Sequence, residues 1–267
     1  MKRVFISPGS KWNIAKQLCD YIPEHKVYVE LFFGSGAVFF NKKKSNLEVV
    51  NDMNSNIANL FKIVRDNPTA LANLINMTPY SKDEYLSSYE QKGESDLEKA
   101  RIFLVRTFMA RAGMQYYSSS WRHTGVVRGS MSRQTVAQSW NNMPEIIIQT
   151  SSRLKEAEIE NKEATKIAES YNHKDAFLFV DPPYLLETRK QRYYEYEMTE
   201  KEEHVKLLEI LKKSKSKVMI THYSCDLYDD MLSDWNYVDI EANAEQGKKR
   251  VERVYMNYTI NKQLSLF

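Results

Sequence analysis

The chain of 267 residues is expected to fold as an α/β protein. Short apolar runs typical of buried strands alternate with segments of helical periodicity along most of the sequence. This alternation predicts a layered sheet with helices on its faces. Residues 68–150 interrupt it, since they are helical at first and then irregular. We therefore expect an α/β domain formed by residues 1–67 and 151–267, with residues 68–150 as an inserted, mainly helical domain.

Strands are expected where short runs are apolar and rich in β-branched or aromatic side chains. In chain order these runs cover residues 27–33, 47–50, 157–159, 177–180, 217–221, 237–240 and 251–260. The last two runs are neighbours in the chain, so we expect them to pair with each other as terminal strands.

Helices are expected where apolar residues recur at helical spacing between these strands. They cover residues 11–22, 37–40, 54–66, 68–77, 83–90, 96–112, 144–157, 163–170, 199–213 and 224–232. Thr199 and Glu202 have the spacing of a capping box at the start of their helix. Between residues 113 and 144 Gly, Ser, Asn and Thr break the periodicity, which indicates loops with a short hairpin.

The composition excludes several classes of protein. A hydrophobic fraction of 42% is ordinary for a globular protein, and no apolar run is long enough to cross a bilayer. The first residues lack the apolar core of a signal peptide. Cys19 and Cys225 lie far apart, without the spacing of metal ligands. We expect a cytoplasmic protein in a reducing setting, with no bound metal.

Arginine is concentrated in one stretch of the inserted segment. From Arg101 to Pro144 there is no Asp, Glu or Lys, and aromatic residues lie among the arginines. The six arginines are Arg101, Arg106, Arg111, Arg122, Arg128 and Arg133. Cations without competing carboxylates suit a nucleic-acid surface, because they bind phosphates and base edges. The alternative is a basic surface that contacts only solvent.

A ligand site is indicated where the first two strands end. The strand at residues 27–33 contains Glu30 and leads into Gly34-x-Gly36, and the second strand ends at Asp52. Glycines allow close approach of a ligand, and an acid in this place typically binds ribose hydroxyls. The alternative is a tight turn, with Asp52 only capping the helix at residues 54–66.

The strand at residues 177–180 stops at Asp181-Pro182-Pro183-Tyr184. Two prolines force the backbone out of the sheet, and ligands of open parallel sheets bind at the carboxyl ends of strands. Taken alone, this turn could equally be an ordinary strand end.

Together, these motifs resemble the Dam-like group of S-adenosylmethionine-dependent DNA adenine-N6 methyltransferases. Pro8-Gly9-Ser10-Lys11, the Gly34 loop, Asp52 and the Asp181 turn follow the family's order over nearly the whole chain. The resemblance implies a Rossmann-like class I methyltransferase sheet, with a target-recognition domain inserted where the arginines lie. It also implies that the protein methylates N6 of a flipped adenine in double-stranded DNA.

The resemblance assigns roles to matching positions. The implied cofactor-binding residues are Lys11, Glu30, Phe32, Gly34, Gly36, Asp52, Asn161, Glu163 and Asp181, and the catalytic residues are Asp181, Pro182 and Tyr184. Ser10 stands where the family has a second glycine, and Glu163 where it has Asp. The expected DNA-binding residues are Arg106, Arg111, Arg122, Arg128, Arg133, Arg189 and Arg192.

The chemistry of adenine N6 agrees with these residues. Its lone pair is delocalised into the ring, so acceptors at Asp181 and Pro182 would favour a pyramidal nitrogen that receives the methyl group directly. The base must leave the duplex, with Tyr184 as a stacking platform. Methylation of cytosine N4 is the alternative activity, although Asp181 favours adenine. A catalytically idle DNA-binding relative is the alternative from another class.

The final residues resemble the peptide by which bacterial replication proteins bind the sliding clamp. Gln263, Leu264, Leu266 and Phe267 match that peptide. The alternative is a terminal strand that buries Leu264 and Phe267 within this chain. No Asn-Val-Pro-x-Gly hairpin, which we associate with recognition of GATC, is found in the sequence.

Overall fold

The computed structural model describes residues 2–111, 120–124, 135–188, 192, 194–243 and 249–259. Seven residues for which the sequence predicts a role lie outside these ranges: Arg128, Arg133, Arg189, Gln263, Leu264, Leu266 and Phe267. Their expected contacts with DNA or with a clamp therefore stay predictions. No helix in the described ranges is long and apolar enough to span a membrane.

The described residues form a mixed α/β fold around one seven-stranded, mostly parallel sheet. Its strands are β1 (Val27–Glu30), β2 (Leu47–Asn51), β3 (Glu158–Glu160), β4 (Ala176–Val180), β5 (Lys217–His222), β6 (Asn236–Asn243) and β7 (Lys249–Met256). Their order across the sheet is β3-β2-β1-β4-β5-β7-β6. The first five strands are parallel, whereas β7 is antiparallel to both β5 and β6. The expected α/β fold and the pairing of the two terminal strands are confirmed.

Ten α-helices connect or cover these strands in the described part of the chain. They are α1 (Ala15–Cys19), α2 (Ser55–Asp66), α3 (Pro68–Asn76), α4 (Lys82–Ser87), α5 (Asp96–Met109), α6 (Val136–Asn141), α7 (Met143–Leu154), α8 (Ala164–Ser170), α9 (Lys201–Lys212) and α10 (Asp226–Met231). Single turns of 3-10 helix cover Lys11–Asn13 and Leu186–Thr188.

Three local expectations are wrong. Residues 37–40 form hydrogen-bonded turns and not a helix. Helix α9 is capped by Glu200 with Glu203 three residues later, so its capping box lies one residue beyond Thr199. The irregular region ends earlier than residue 144, because Thr135 and Gln138 form a capping box that starts α6.

The sheet has its topological switch point between β1 and β4. From β1 the chain continues outward through β2, whereas β4 lies on the other side of β1. Glu30 pairs with Phe179 in the register of these two strands, so Glu30 and Asp181 leave the sheet at the same edge. Ligands of open α/β sheets bind in the crevice outside such a switch point.

The helices of residues 68–150 share a hydrophobic core with the sheet. One cluster of buried side chains contains Val50 of β2, Phe61 of α2, Phe103 of α5 and Ile147 of α7. In addition, the guanidinium of Arg153 donates to the buried carboxylate of Glu48 in β2. The predicted division into two domains stays a prediction, but the two parts are tightly packed together.

Candidate active site

A cavity of about 460 Å³ opens at the switch point. Residues after β1, β2 and β4 line it, together with the loop of residues 7–11 and residues 194–198. Its lining is rich in carboxylates: Glu30, Asp52, Glu163, Asp181, Glu197 and Glu203. Lys11 and Lys206 are the lysines that line it. This excess of acid suits a positively charged ligand and disfavours a phosphate.

Asp181 is held at the end of β4 by two donors. The ammonium of Lys11 lies 2.9 Å from its Oδ1, and the hydroxyl of Thr221 donates to the same oxygen at 2.7 Å. In the described part of the chain no donor contacts Oδ2. The side chain of Asp181 is 19% exposed and lines the cavity. One carboxylate oxygen is thus fixed by the fold, while the group remains open to a ligand.

Lys11 is buried at the inner end of the first loop. Its ammonium also donates to the carbonyl of Gly9 at 2.9 Å. Burial by itself lowers the pKa of Lys11, but the carboxylates of Asp181 and Glu252 more than offset burial and hold the pKa above its ordinary value. Lys11 is therefore a permanent cation beside Asp181.

The first loop is attached to the glycine loop by polar side chains. The hydroxyls of Ser10 and Ser35 are 2.8 Å apart, and the indole of Trp12 donates to Ser35 at 3.1 Å. Ser10 thus makes a contact that a glycine in its place lacks. The two loops form one wall of the cavity.

Gly34 and Gly36 both have positive φ angles, of 50° and 69°. The amide of Gly34 donates to Oδ2 of Asp52 at 2.8 Å, which connects the end of β1 to the end of β2. A side chain at Gly34 would meet no atom within 4 Å, whereas one at Gly36 would collide with Phe33 and Phe40. Of these two glycines, Gly34 lines the cavity and Gly36 does not. Gly36 supports the turn from behind.

Asp52 does not cap the following helix. Asn54 is the N-cap of α2, and its side chain accepts from the amide of Asn56. Oδ1 of Asp52 instead accepts from the amide of Asn54 at 2.9 Å. Burial raises the pKa of Asp52 to about 6, although its two backbone donors act in the opposite direction. The acid lines the cavity as the ligand-site interpretation expected.

Glu30 is a buried acid at the end of β1. It is 2% exposed, and the hydroxyl of Tyr28 donates to its Oε2 at 2.7 Å. Burial raises the pKa of Glu30 to about 8, and the charge of Asp181 adds to this rise. Close to neutral pH, Glu30 therefore changes its protonation state readily and responds to a cation in the cavity.

The other residues with implied cofactor roles lie in different places. Phe32 and Glu163 line the cavity. Asn161 is not among the lining residues, and its amide donates to the carbonyls of Asp52 and Met53 at 2.7 and 3.1 Å. Asn161 thus fixes the backbone that carries Asp52.

Tyr184 is buried behind the turn. Its hydroxyl donates to the carboxylate of Glu252 in β7, and its ring centroid is 4.5 Å from that of His222. The ammonium of Lys11 lies 4.7 Å from the centre of the same ring. The next amide, that of Leu185, donates to Nε2 of His222 at 3.1 Å. The turn is therefore held at both ends by the tip of β5 and by β7.

The described arginines differ in how they are engaged. Arg106 donates to the carbonyls of Ser88 and Gln91, so its guanidinium is bound within the fold. The guanidinium of Arg122 lies 5.3 Å from the ring centre of Phe108. Arg111 and Arg192 are exposed. Ala110 and Trp121, which precede Arg111 and Arg122, form an antiparallel bridge.

Three residues of the site were not found from the sequence. Thr221 and His222 at the end of β5 and Glu252 in β7 contact the motifs already described. Tyr194, an aromatic residue that follows the Asp181 turn, also contacts them. The hydroxyl of Tyr194 donates to the carbonyl of Pro8 at 3.0 Å and closes one side of the cavity. A sequence signal existed only for Thr221 and His222, which end an apolar strand as Asp181 does. Within the described ranges, no cluster of three or more His, Cys, Asp or Glu side chains is arranged to hold a metal ion.

Comparison with known proteins agrees with this geometry. The chain is 28% identical over 272 residues to the type II methyltransferase M1.LlaDCHI of Lactococcus lactis subsp. cremoris, covering 94% of this chain and 93% of the relative. It is 27% identical over 243 residues to the type II methyltransferase M.CviBI of Paramecium bursaria Chlorella virus NC1A, covering 87% and 88%. A DNA N-6-adenine-methyltransferase of Escherichia phage P1 matches 45% of this chain, but only 16% of that relative.

A family model supplies the assignment. Residues 7–246 match the model of the D12 class N6 adenine-specific DNA methyltransferases, a range that contains every motif around the cavity. This finding decides between the two activities that the sequence left open, adenine N6 and cytosine N4, in favour of adenine. The chain belongs to the D12 class of N6 adenine-specific DNA methyltransferases.

Proposed function

We propose that the switch-point cavity binds S-adenosylmethionine, and that the ends of β1 and β4 present its methyl group to N6 of an adenine taken out of double-stranded DNA. The sheet then serves as a Rossmann-like class I methyltransferase sheet. The arrangement of Asp181 is the main support, because its Oδ1 is fixed by Lys11 and Thr221 while the carboxylate faces the cavity.

The residues of the cavity fit this cofactor. S-adenosylmethionine is a sulfonium cation without phosphate, and the lining carries six carboxylates against two lysines. Asp52, held by the amides of Gly34 and Asn54, would accept from the ribose hydroxyls. Glu163 adds negative charge, Glu30 can lose its proton in response to the cation, and Phe32 and Gly34 supply surface for the cofactor. When bound, the cofactor supplies an electrophilic methyl group.

Asp181 and Pro182 would orient the acceptor nitrogen. Oδ2 of Asp181 and the carbonyl of Pro182 accept the two hydrogens of N6, so that its lone pair points towards the cavity. Lys11 binds Oδ1 of Asp181 and thereby leaves Oδ2 to accept from the ligand. Asp181 acts as an acceptor, and neither as a nucleophile nor as a metal ligand.

Contacts with DNA would come from the inserted segment. Residues 68–150 would act as the target-recognition domain, in which the exposed Arg111 would bind a phosphate. The exposed Arg192, outside this segment, would bind another. Arg106 would contribute to DNA binding indirectly, by stabilising the fold of this segment, because its guanidinium already donates to backbone carbonyls. Tyr184 would support the flipped base. A second partner, the bacterial sliding clamp, would bind the C-terminal peptide through Gln263, Leu264, Leu266 and Phe267.

The proposal is tested by incubating unmethylated double-stranded DNA with labelled S-adenosylmethionine and separating the nucleosides. We expect the label in N6-methyladenine. Asp181→Ala should still bind the cofactor but lose turnover, whereas Asp175→Ala, at the opposite end of β4, should keep its turnover. Near-normal turnover of Asp181→Ala, or label in N4-methylcytosine, would show that the proposed acceptor geometry is wrong.

A further inference from the structure

Glu252 is a buried acid that none of the motifs accounts for. It lies in β7, is 7% exposed, and accepts a hydrogen bond from the hydroxyl of Tyr184. It is not among the described residues that line the cavity. A carboxylate in such a place costs stability unless it is paired, and apolar residues that replace a whole buried polar pair often do so without loss. Stability alone therefore does not explain this acid.

The direction of the hydrogen bond between Tyr184 and Glu252 is fixed by the two groups. Burial, with the charges of Asp181 and Glu252, raises the pKa of Tyr184 well above its ordinary value, so the phenol keeps its proton and donates. Neighbouring side chains surround the same ring. His222 lies at 4.5 Å and Tyr223 at 4.7 Å between ring centroids. The hydroxyl is thus the polar end of an otherwise packed side chain.

Glu252 also stabilises the charged form of Lys11. Its charge is one of the causes that hold the pKa of Lys11 above the ordinary value. Lys11 in turn contacts Asp181 and lies 4.7 Å from the ring centre of Tyr184. Glu252 therefore interacts with Tyr184, the last residue of the turn. It also interacts with Lys11, which binds Asp181, the first residue of the turn.

We propose that Glu252 is a positioning residue that holds the Asp181-to-Tyr184 turn in its reactive geometry through the hydroxyl of Tyr184. The proposal rests on the proposed function of that turn as the clamp for the acceptor amine. Loss of the hydrogen bond frees the Tyr184 end of the turn, which displaces the acceptors at Asp181 and Pro182. The rest of the cofactor cavity, which Glu252 does not line, keeps its shape.

Three variants and a control separate this role from a structural one. Glu252→Met keeps the volume but removes the acceptor, Glu252→Gln keeps an acceptor without the charge, and Tyr184→Phe removes the donor. Glu209→Gln, on the exposed face of α9, is the matched control for loss of one charge. The measurements are the single-turnover rate of methyl transfer to unmethylated double-stranded DNA, the Kd of S-adenosylmethionine and the urea midpoint.

We expect Glu252→Met to slow methyl transfer about tenfold, the scale of a lost charged hydrogen bond, with an unchanged Kd. The urea midpoint should fall, because the buried hydroxyl of Tyr184 loses its acceptor. Glu252→Gln should restore the rate to within about threefold of the wild type. In the Tyr184→Phe background, Glu252→Met should change the rate less than about twofold, because the contact is already lost.

The proposal is overturned if Glu252→Met is as active as the control, or if Glu252→Gln is as slow as Glu252→Met. The proposal would also be overturned if Glu252→Met slowed methyl transfer equally in the wild-type and the Tyr184→Phe backgrounds. If the wild type itself gave no N6-methyladenine, the proposed function would fail. The urea midpoints of Glu252→Met, Tyr184→Phe and the double variant would still decide whether Glu252 acts through Tyr184. If the two single changes in midpoint added up in the double variant, that contact would be ruled out.

Discussion

Alanine substitutions at Gly34 and Gly36 are expected to separate ligand binding from folding. Both residues have positive φ, which costs about 1–2 kcal/mol for alanine. At Gly36 the new Cβ would also lie 2.6 Å from Phe40 and 2.7 Å from Phe33, both of which are buried. Overpacking of this kind adds about 1–3 kcal/mol. We therefore expect Gly36→Ala to lose about 2–5 kcal/mol of unfolding free energy and Gly34→Ala only about 1–2 kcal/mol.

For the affinity of the cofactor, Gly34→Ala should have the larger effect of the two substitutions. A methyl group on Gly34 meets no protein atom within 4 Å, and Gly34 lines the cavity. The methyl group would then occupy space that the proposed ligand needs. We expect the Kd of S-adenosylmethionine to rise at least about tenfold, which corresponds to about 1.4 kcal/mol.

Urea denaturation and isothermal titration calorimetry on the two variants measure these quantities side by side. Equal losses of stability would show that the packing of Phe33 and Phe40 around Gly36 is not as tight as the distances indicate. Wild-type affinity in Gly34→Ala would place the ligand away from the glycine loop, and the proposed cofactor site would be refuted.

Three further predictions concern the acid, the hydroxyl and the arginine around the site. Burial raises the pKa of Asp52 to about 6. The protonated acid therefore favours the folded state, and this contribution to stability is lost as the pH rises through 6. A ligand that needs the carboxylate should bind about tenfold more weakly for each pH unit below 6, and calorimetry should find no such slope in Asp52→Asn. Thr221→Val removes a donor to Asp181 and should lower kcat about fivefold to tenfold at unchanged cofactor Kd; unaltered kcat would show that Lys11 alone fixes that carboxylate. Arg106→Gln should lower the unfolding free energy by about 1–3 kcal/mol, because the carbonyl of Ser88 loses its charged donor; a variant of wild-type stability with weakened DNA binding would instead assign Arg106 to the DNA surface.

The sequence predicted the sheet well because its strands are short apolar runs with clear ends. The helix expected at residues 37–40 was wrong for a local reason. The aromatic rings of Phe33, Phe39 and Phe40 pack together around Gly36, and the backbone closes in turns such as that from the amide of Phe40 to the carbonyl of Gly36. Helical spacing of apolar residues does not distinguish such a cluster from one face of a helix.

The site was predictable only where its residues form motifs along the chain. Glu30, Asp52 and Asp181 each end or follow a strand, and Lys11 begins the first helical turn. The structure brings all four to one cavity. Glu252 gave no signal, because its contact with Tyr184 depends on the placement of β7 beside β5. Such a contact is a property of strand order, which one sequence does not state.

The hydrophobic core shared by residues 68–150 and the sheet bears on protein engineering. Because Phe103 of α5 and Ile147 of α7 belong to one buried cluster with Phe61 of α2, exchange of the whole segment between relatives would leave unmatched surfaces on both sides. A chimera designed to change the target sequence should instead keep α3, α5 and α7 and graft only between the Ala110–Trp121 bridge and Thr135. Under the proposed function, specificity would then be altered by replacing residues 122–134 on a retained helical base, and not by exchanging the whole of residues 68–150.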